Sequence, residues 1–247
     1  MSPGPLPILT YHAIDDSGAI TATSPAWFAA TIDALDSAGL RPIDLGDWVA
    51  RGRPPVDGGY AIAFDDGLAS ILGVADLLIA RAIPATVFLV ADRLGLDNAW
   101  PGQPPGIPRS RLLDRGEVEA LAGSGFRFGS HGRAHARLDR MGPSALREEL
   151  VGSRDRIEQV VGRPCPLLAY PYGASNPRAL ALAYEVYESA FGTRLAYASA
   201  WDDPADVARI DAFYLRSPRA LAALASGRWH PYLAFRRALR AARQAIA

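Results

Sequence analysis

Tyr60-Ala61-Ile62-Ala63-Phe64-Asp65-Asp66-Gly67 is an apolar run that ends in two adjacent carboxylates and a glycine. The apolar part reads as a core strand, buried on both faces and so free of polar alternation. Asp65-Asp66-Gly67 then has two readings. It is a plain turn, or it is a costlier arrangement in which two acids repel one another at the mouth of a buried strand. A bound cation would relieve that repulsion. It would also divide the labour, with one carboxylate ligating and the other staying free as a base.

The flanking segments repeat the pattern. Leu6 to Tyr11, Ala85 to Val90, Phe126 to Gly129 and Leu167 to Tyr170 read as strands, with another near Leu195 to Ser199. Helices are predicted from Pro25 to about Ala38, capped by Ser24 and stopped by Gly39, and from about Leu68 to Arg81. Others fall near Glu117 to Ala122, from Ser144 to Val161, and near Arg178 to Ala190. This βα rhythm, with reactive residues just after strand ends, suits a barrel whose site lies at the C-terminal mouth of its strands. No internal repeat is visible. Residues 95–110 hold four prolines and three glycines, a long irregular loop of the kind that often carries function.

The totals bound the rest. The 247 residues suit one domain, 1–247. Charge balances at 26 basic against 26 acidic residues, which argues against a nucleic-acid surface. Every basic residue is arginine. Cys165 is the only cysteine and forms no internal disulfide. No stretch approaches 18 apolar residues, so no membrane span is expected. Met-Ser-Pro-Gly-Pro runs into a strand without a charged and then apolar leader. The expected location is therefore cytoplasmic, or extracytoplasmic if a leader has been removed. The last thirty residues look helical, and Arg236, Arg237, Arg240 and Arg243 read as a solvated face rather than a binding patch. The oligomeric state is not legible.

The chain has four histidines, and two of them stand four apart in Gly129-Ser130-His131-Gly132-Arg133-Ala134-His135. A lone histidine is usually structural. At i and i+4 on one helical turn, two imidazoles point the same way and can grip one ion. Joined to a carboxylate of the Asp65-Asp66 pair, they make a His₂Asp set with an open position, suited to activating water. Ala169-Tyr170-Pro171-Tyr172-Gly173 is either a strand ending in a proline turn or a rigidly held backbone N–H aimed at a developing oxyanion.

Phe64-Asp65-Asp66-Gly67, Ser130-His131-Gly132-Arg133-Ala134-His135 and Tyr170-Pro171-Tyr172-Gly173, in this order, resemble the NodB-type polysaccharide deacetylases, carbohydrate esterase family 4. The resemblance implies an α/β fold, a deformed (β/α) barrel. It also implies a divalent metal, with zinc first among the candidates, and hydrolysis of N-acetyl groups from amino sugars by metal-activated water. Carried over, Asp66, His131 and His135 would be the metal ligands and Asp65 the base. Tyr172 would lend its backbone N–H to the oxyanion. Pro171 and Trp100, the latter in the 95–110 loop, are candidate substrate contacts. Trp100 is read equally as a sugar-stacking wall or a packed tryptophan.

There are departures from the pattern. Gly132 stands where the family often has Ser or Thr. The arginine that often opens the third motif is replaced by Ala169-Tyr170. The late Leu-x-His that would carry the acid is absent, because His230 in Arg228-Trp229-His230-Pro231 does not match. Leu9-Thr10-Tyr11-His12 resembles instead the opening of the poly-N-acetylglucosamine deacetylase branch, whose barrel is circularly permuted. His12 is therefore the candidate acid, and Arg209 the candidate replacement partner for Asp65. Two other readings stay open. One is a cytosolic amidase on a small N-acylated or nucleotide-linked sugar, and the other a non-catalytic carbohydrate-binding relative.

Overall fold

The computed structural model describes residues 4–226 and 232–239. Seven parallel strands close into a barrel: β1 (Ile8–Tyr11), β5 (Gly59–Phe64), β6 (Ala85–Leu89), β7 (Arg127–Ser130), β8 (Leu167–Ala169), β9 (Ser189–Leu195) and β10 (Val207–Asp211). From β5 to β10 each strand pairs with the next in sequence, and β1 closes the ring between β10 and β5. Its register against β5 runs from Ile8 opposite Ala61 to Tyr11 opposite Phe64. The short β4 (Arg41–Pro42) adds to the start of β5, and β2 (Ala13–Ile14) pairs with β3 (Ala22–Thr23) apart from the barrel.

The helices include α1 (Pro25–Ser37), α2 (Leu45–Ala50), α3 (Leu72–Ala80), α4 (Arg115–Gly123), α5 (Pro143–Val161), α6 (Pro177–Val186) and α7 (Pro218–Ala225), and residues 232–239 are helical as well. Their ends follow local chemistry. Ser24 accepts a hydrogen bond from Trp27 N ahead of Pro25, and Asp114 and Glu117 cap α4 reciprocally. Gly162 ends α5 at φ +68°. None of the described helices is long and apolar enough to cross a membrane.

Strand alternation sorts the core into two shells. Leu9, Tyr11, Ile62, Phe64, Val87 and Leu89 pack outward with the helices. Ile8, Ala61, Ala63, Phe88, Phe191 and Val207 form a separate interior cluster. Small residues there make room for large ones. A Cβ on Gly129 would sit 2.6 Å from the Phe88 ring. The same period, continued past the interior residues, carries Ala63 to Asp65, Gly129 to His131, Val207 to Arg209, and Ile8 through Thr10 to His12. The barrel's interior face thus delivers polar groups to its C-terminal mouth.

Several sequence expectations shift. The 178–190 helix stops at Val186, and β9 begins at Ser189 rather than near Leu195. Ala198 retains only an isolated bridge to Leu6. The segment 207–211, which the hydrophobic pattern leaves unassigned, is the last barrel strand. Of the C-terminal arginines, Arg236 lies over the rings of Tyr214 and Tyr232, and Arg237 donates to Leu195 O. They tie their segment to the barrel instead of forming a purely solvated face. Arg240, Arg243 and His230 lie outside the described residues.

Candidate metal centre and active site

Asp65 and Asp66 leave β5 in different directions because the chain turns sharply there. Asp65 N donates to Tyr11 O at 2.9 Å, still in the sheet pattern, while Asp66 and Gly67 both take positive φ, +68° and +67°. Asp65 meets Arg209 in a two-pronged ion pair, Nη1 to Oδ1 at 2.7 Å and Nη2 to Oδ2 at 2.9 Å. Arg209 also donates from Nε to Gly192 O. Both side chains are almost fully buried.

Asp66 faces the two histidines. Its Oδ1 lies 3.4 Å from His131 Nε2 and 3.1 Å from His135 Nε2. The donor atoms of Asp66, His131 and His135 all lie within 4.8 Å of one another. His131 Nδ1 sits 2.7 Å from Ala169 O. A carbonyl only accepts, so Nδ1 carries a proton, and Nε2 is the ring nitrogen turned to Asp66 and free to serve as a ligand once deprotonated. Two imidazole nitrogens and a carboxylate oxygen form a donor set that fits zinc and other divalent ions.

The histidines reach this position differently from the helical turn expected. β7 ends at Ser130, His131 follows directly, and His135 sits in an irregular loop at φ +58°. Asp66, His135 and Tyr172 are three of the five non-glycine residues with positive φ among those described. Such conformations persist where surrounding structure over-determines them, and they cluster at functional sites.

Electrostatics agree with a cation site. Burial opposes ionisation of Asp65, but Arg209, His131 and His12 outweigh it and hold its carboxyl below the usual range. Burial likewise opposes Asp66, and hydrogen bonds from His131 and His135 drive it well below. Burial lowers the His131 pKa, yet Asp65 and Asp66 more than offset this and raise it. At His135 burial prevails and the pKa falls. Cys165 offers no competing nucleophile, because burial pushes its thiol up to about 12.

Tyr172 takes φ +61° in the turn after β8. The turn's own bonds run from Gly173 N to Tyr170 O and from Ala174 N to Pro171 O, so neither uses the Tyr172 N–H. Gly173, at φ +64°, packs so closely on Thr193 that an added Cβ would overlap the Thr193 hydroxyl. Gly173→Ala is therefore expected to cost about 1–3 kcal/mol and lower the thermal midpoint. An unchanged melting curve would contradict this packing.

A cavity of about 610 Å³ opens over these groups, lined by His12, Asp65, Asp66, His131, His135, Tyr172 and Arg209 among others. All the predicted catalytic and metal residues thus converge. The two predicted substrate contacts do not line it. Trp100 is 4% exposed and its ring lies 4.1 Å from that of His135. It backs a candidate ligand instead of offering a free stacking face. Pro171 is buried and shapes the turn. The 95–110 loop still walls the cavity, through Gln103, Pro104 and Ile107. Thr10 and Asp211 also line it and went unread in the sequence. The available signal was strand period: Thr10 stands two before His12, and Asp211 two after Arg209.

Fold and site together define a seven-stranded (β/α) barrel with a candidate three-ligand metal centre at the mouth of its strands. The sequence profile of the polysaccharide deacetylases matches residues 53–187, more than half of the chain, and the chain belongs to that family. No curated protein matches it. Among solved structures it resembles a polysaccharide deacetylase from Bacillus cereus, with TM-score 0.69 and 23% identity over 84% of this chain and 64% of that one. It also resembles Streptococcus pyogenes deacetylase PplD, with TM-score 0.72 and 20% identity over 89% and 97%. A third similar structure is IcaB from Ammonifex degensii, with TM-score 0.74 and 20% identity over 90% and 96%. These likenesses establish the deformed barrel. The chain spans just under two thirds of the length of the Bacillus protein.

Proposed function

We propose that this chain is a metal-dependent hydrolase that removes N-acetyl groups from an amino-sugar polymer or oligomer. The observation that carries the reading is the convergence, in one cavity, of the Asp66-His131-His135 set, the Asp65–Arg209 pair and His12. A divalent ion held by the three ligands would supply Lewis acidity and make water a nucleophile near neutral pH.

The chain's own residues do the remaining work. Asp65, kept ionised and aimed by Arg209, accepts the proton of the attacking water. The Tyr172 N–H donates to the oxyanion that develops from the acetyl carbonyl oxygen. His12, at the end of β1, hands a proton to the departing nitrogen, leaving a free amine and acetate. β1 lies beside β10, the last strand, the position a strand moved from the end of the chain to its start would take. That placement supports the circularly permuted arrangement and the assignment of His12.

The charge of the cavity supports polymer over nucleotide-linked sugar. Among the described residues that line it, Asp15 and Asp211 add to Asp65 and Asp66, and the one arginine is already paired with Asp65. Even with a divalent ion bound, no described lining arginine is left to pair with the diphosphate of a nucleotide-linked donor. The intact base, acid and ligand set supports catalysis over a purely sugar-binding role.

Acetate release from chitin and poly-N-acetylglucosamine oligomers of increasing length, beside a nucleotide-linked N-acetyl sugar, tests the reading. kcat/KM is expected to rise with oligomer length. A preference for the nucleotide-linked sugar would overturn the polymer assignment, and no acetate from any substrate would overturn the activity.

A further inference from the structure

His131 and His135 are secured unequally. His131 is oriented by its second ring nitrogen through Ala169 O, the usual way a metal-binding imidazole is fixed. His135 has no such support, since among the described residues its buried Nδ1 finds no hydrogen-bond partner. Its backbone is also left-handed, at φ +58°. The placement of this ligand therefore falls to whatever holds the loop Gly132-Arg133-Ala134.

That loop is gripped from two sides. Its carbonyls at Gly132 and Arg133 accept from Ala91 N and Asp92 N. Its amides are taken by side chains. Ser130 Oγ accepts from Gly132 N at 3.1 Å and is itself fixed by donating to Ser153 on α5. Glu149, also on α5, accepts from both Arg133 N at 2.8 Å and Ala134 N at 2.9 Å through the same oxygen. Glu149 is 6% exposed, and among the described residues no arginine pairs with it, since Arg133 pairs with Asp92 and Glu148. A buried carboxylate held mainly by backbone amides is costly unless the structure uses it. Gly132 is shaped around it: at φ +76°, an added Cβ would lie 2.8 Å from Glu149 Oε1. The hydroxyl residue that the family often carries at this position would crowd the carboxylate.

We infer that Glu149 is a positioning residue for the candidate metal centre. It clamps the two amides preceding His135, so that this otherwise unsupported imidazole meets Asp66 and His131, and Gly132 is its obligatory partner. The inference rests on Asp66, His131 and His135 holding a divalent ion.

The test is zinc affinity, measured by competition with a chromophoric chelator, beside thermal melting of the chelator-stripped protein. Glu149→Ala is expected to weaken zinc by about 10–100-fold. Glu149→Gln, whose amide oxygen still reaches both N–H groups, should recover most of that loss. Glu149→Asp, one methylene short, should behave like the alanine variant. Unchanged affinity in both Glu149→Ala and Glu149→Asp, with only a lower melting point, would overturn the inference. If Glu149→Ala does not fold, the aspartate and glutamine variants decide by the same criterion. Failure of the wild type to bind zinc would instead overturn the metal-site reading beneath it.

Discussion

Replacing Asp65 by Asn is expected to reduce turnover by roughly 10²–10⁴-fold while leaving metal content unchanged. Asparagine nearly preserves the shape of aspartate and can still accept from Arg209, but it cannot take a proton. Because Asp66, not Asp65, faces the two histidines, the ligand set stays intact. Single-turnover acetate release with elemental analysis on the same sample separates the two roles. If Asp65→Asn loses the metal, Asp65 is a ligand and the division of labour between the adjacent acids is wrong. If turnover survives, the base lies elsewhere.

Arg209→Met is expected to give the largest loss of stability, about 3–5 kcal/mol, because it strands a buried carboxylate without its partner. The Asp65 and Arg209 side chains are only 6% and 3% exposed, so water is a poor substitute for the two-pronged guanidinium contact. Arg209 also bonds Gly192 O and lies over the Phe88 ring, so its loss loosens the barrel interior as well. Denaturant unfolding of chelator-treated protein gives the cleanest measurement, since a cation beside Asp65 would mask part of the cost. Asp65→Asn combined with Arg209→Met should recover much of the stability, because the stranded charge is gone. A single-variant loss below about 1 kcal/mol, the range of an exposed pair, would contradict the buried-pair account.

Much of this site is legible from residue order. The acids and His131 lie directly beyond strand ends, where the side-chain period makes an inward position a matter of counting. Arg209 could be nominated as the partner of Asp65, but its strand was missed for the same reason it matters. Val207-Ala208-Arg209-Ile210-Asp211 places an arginine on the barrel-facing side, and charge at an interior position erases the apolar pattern that announces a buried strand. The histidine spacing misled in another way. Four residues apart suggests a helical turn, but positive φ at Gly132 and His135 achieves the same convergence in a loop, and backbone handedness at a non-glycine residue leaves no mark in sequence. Trp100 was ambiguous because its packing partner, His135, is distant along the chain. Glu149 did leave a signal. It falls on the buried stripe of α5 with Leu146, Leu150, Ser153 and Ile157, where an acid is out of place unless something polar faces it.

On the proposed function, Asp66, His131 and His135 hold a divalent ion on which deacetylation depends. The most direct measurement is metal stoichiometry alongside acetate release from an N-acetylglucosamine oligomer, for the wild type and Asp66→Ala, before and after chelation. One ion per wild-type chain is expected. Acetate release should be abolished by the chelator and restored by adding zinc back, and Asp66→Ala should show neither ion nor activity. Acetate release that persists in metal-stripped protein, or in Asp66→Ala, would contradict it.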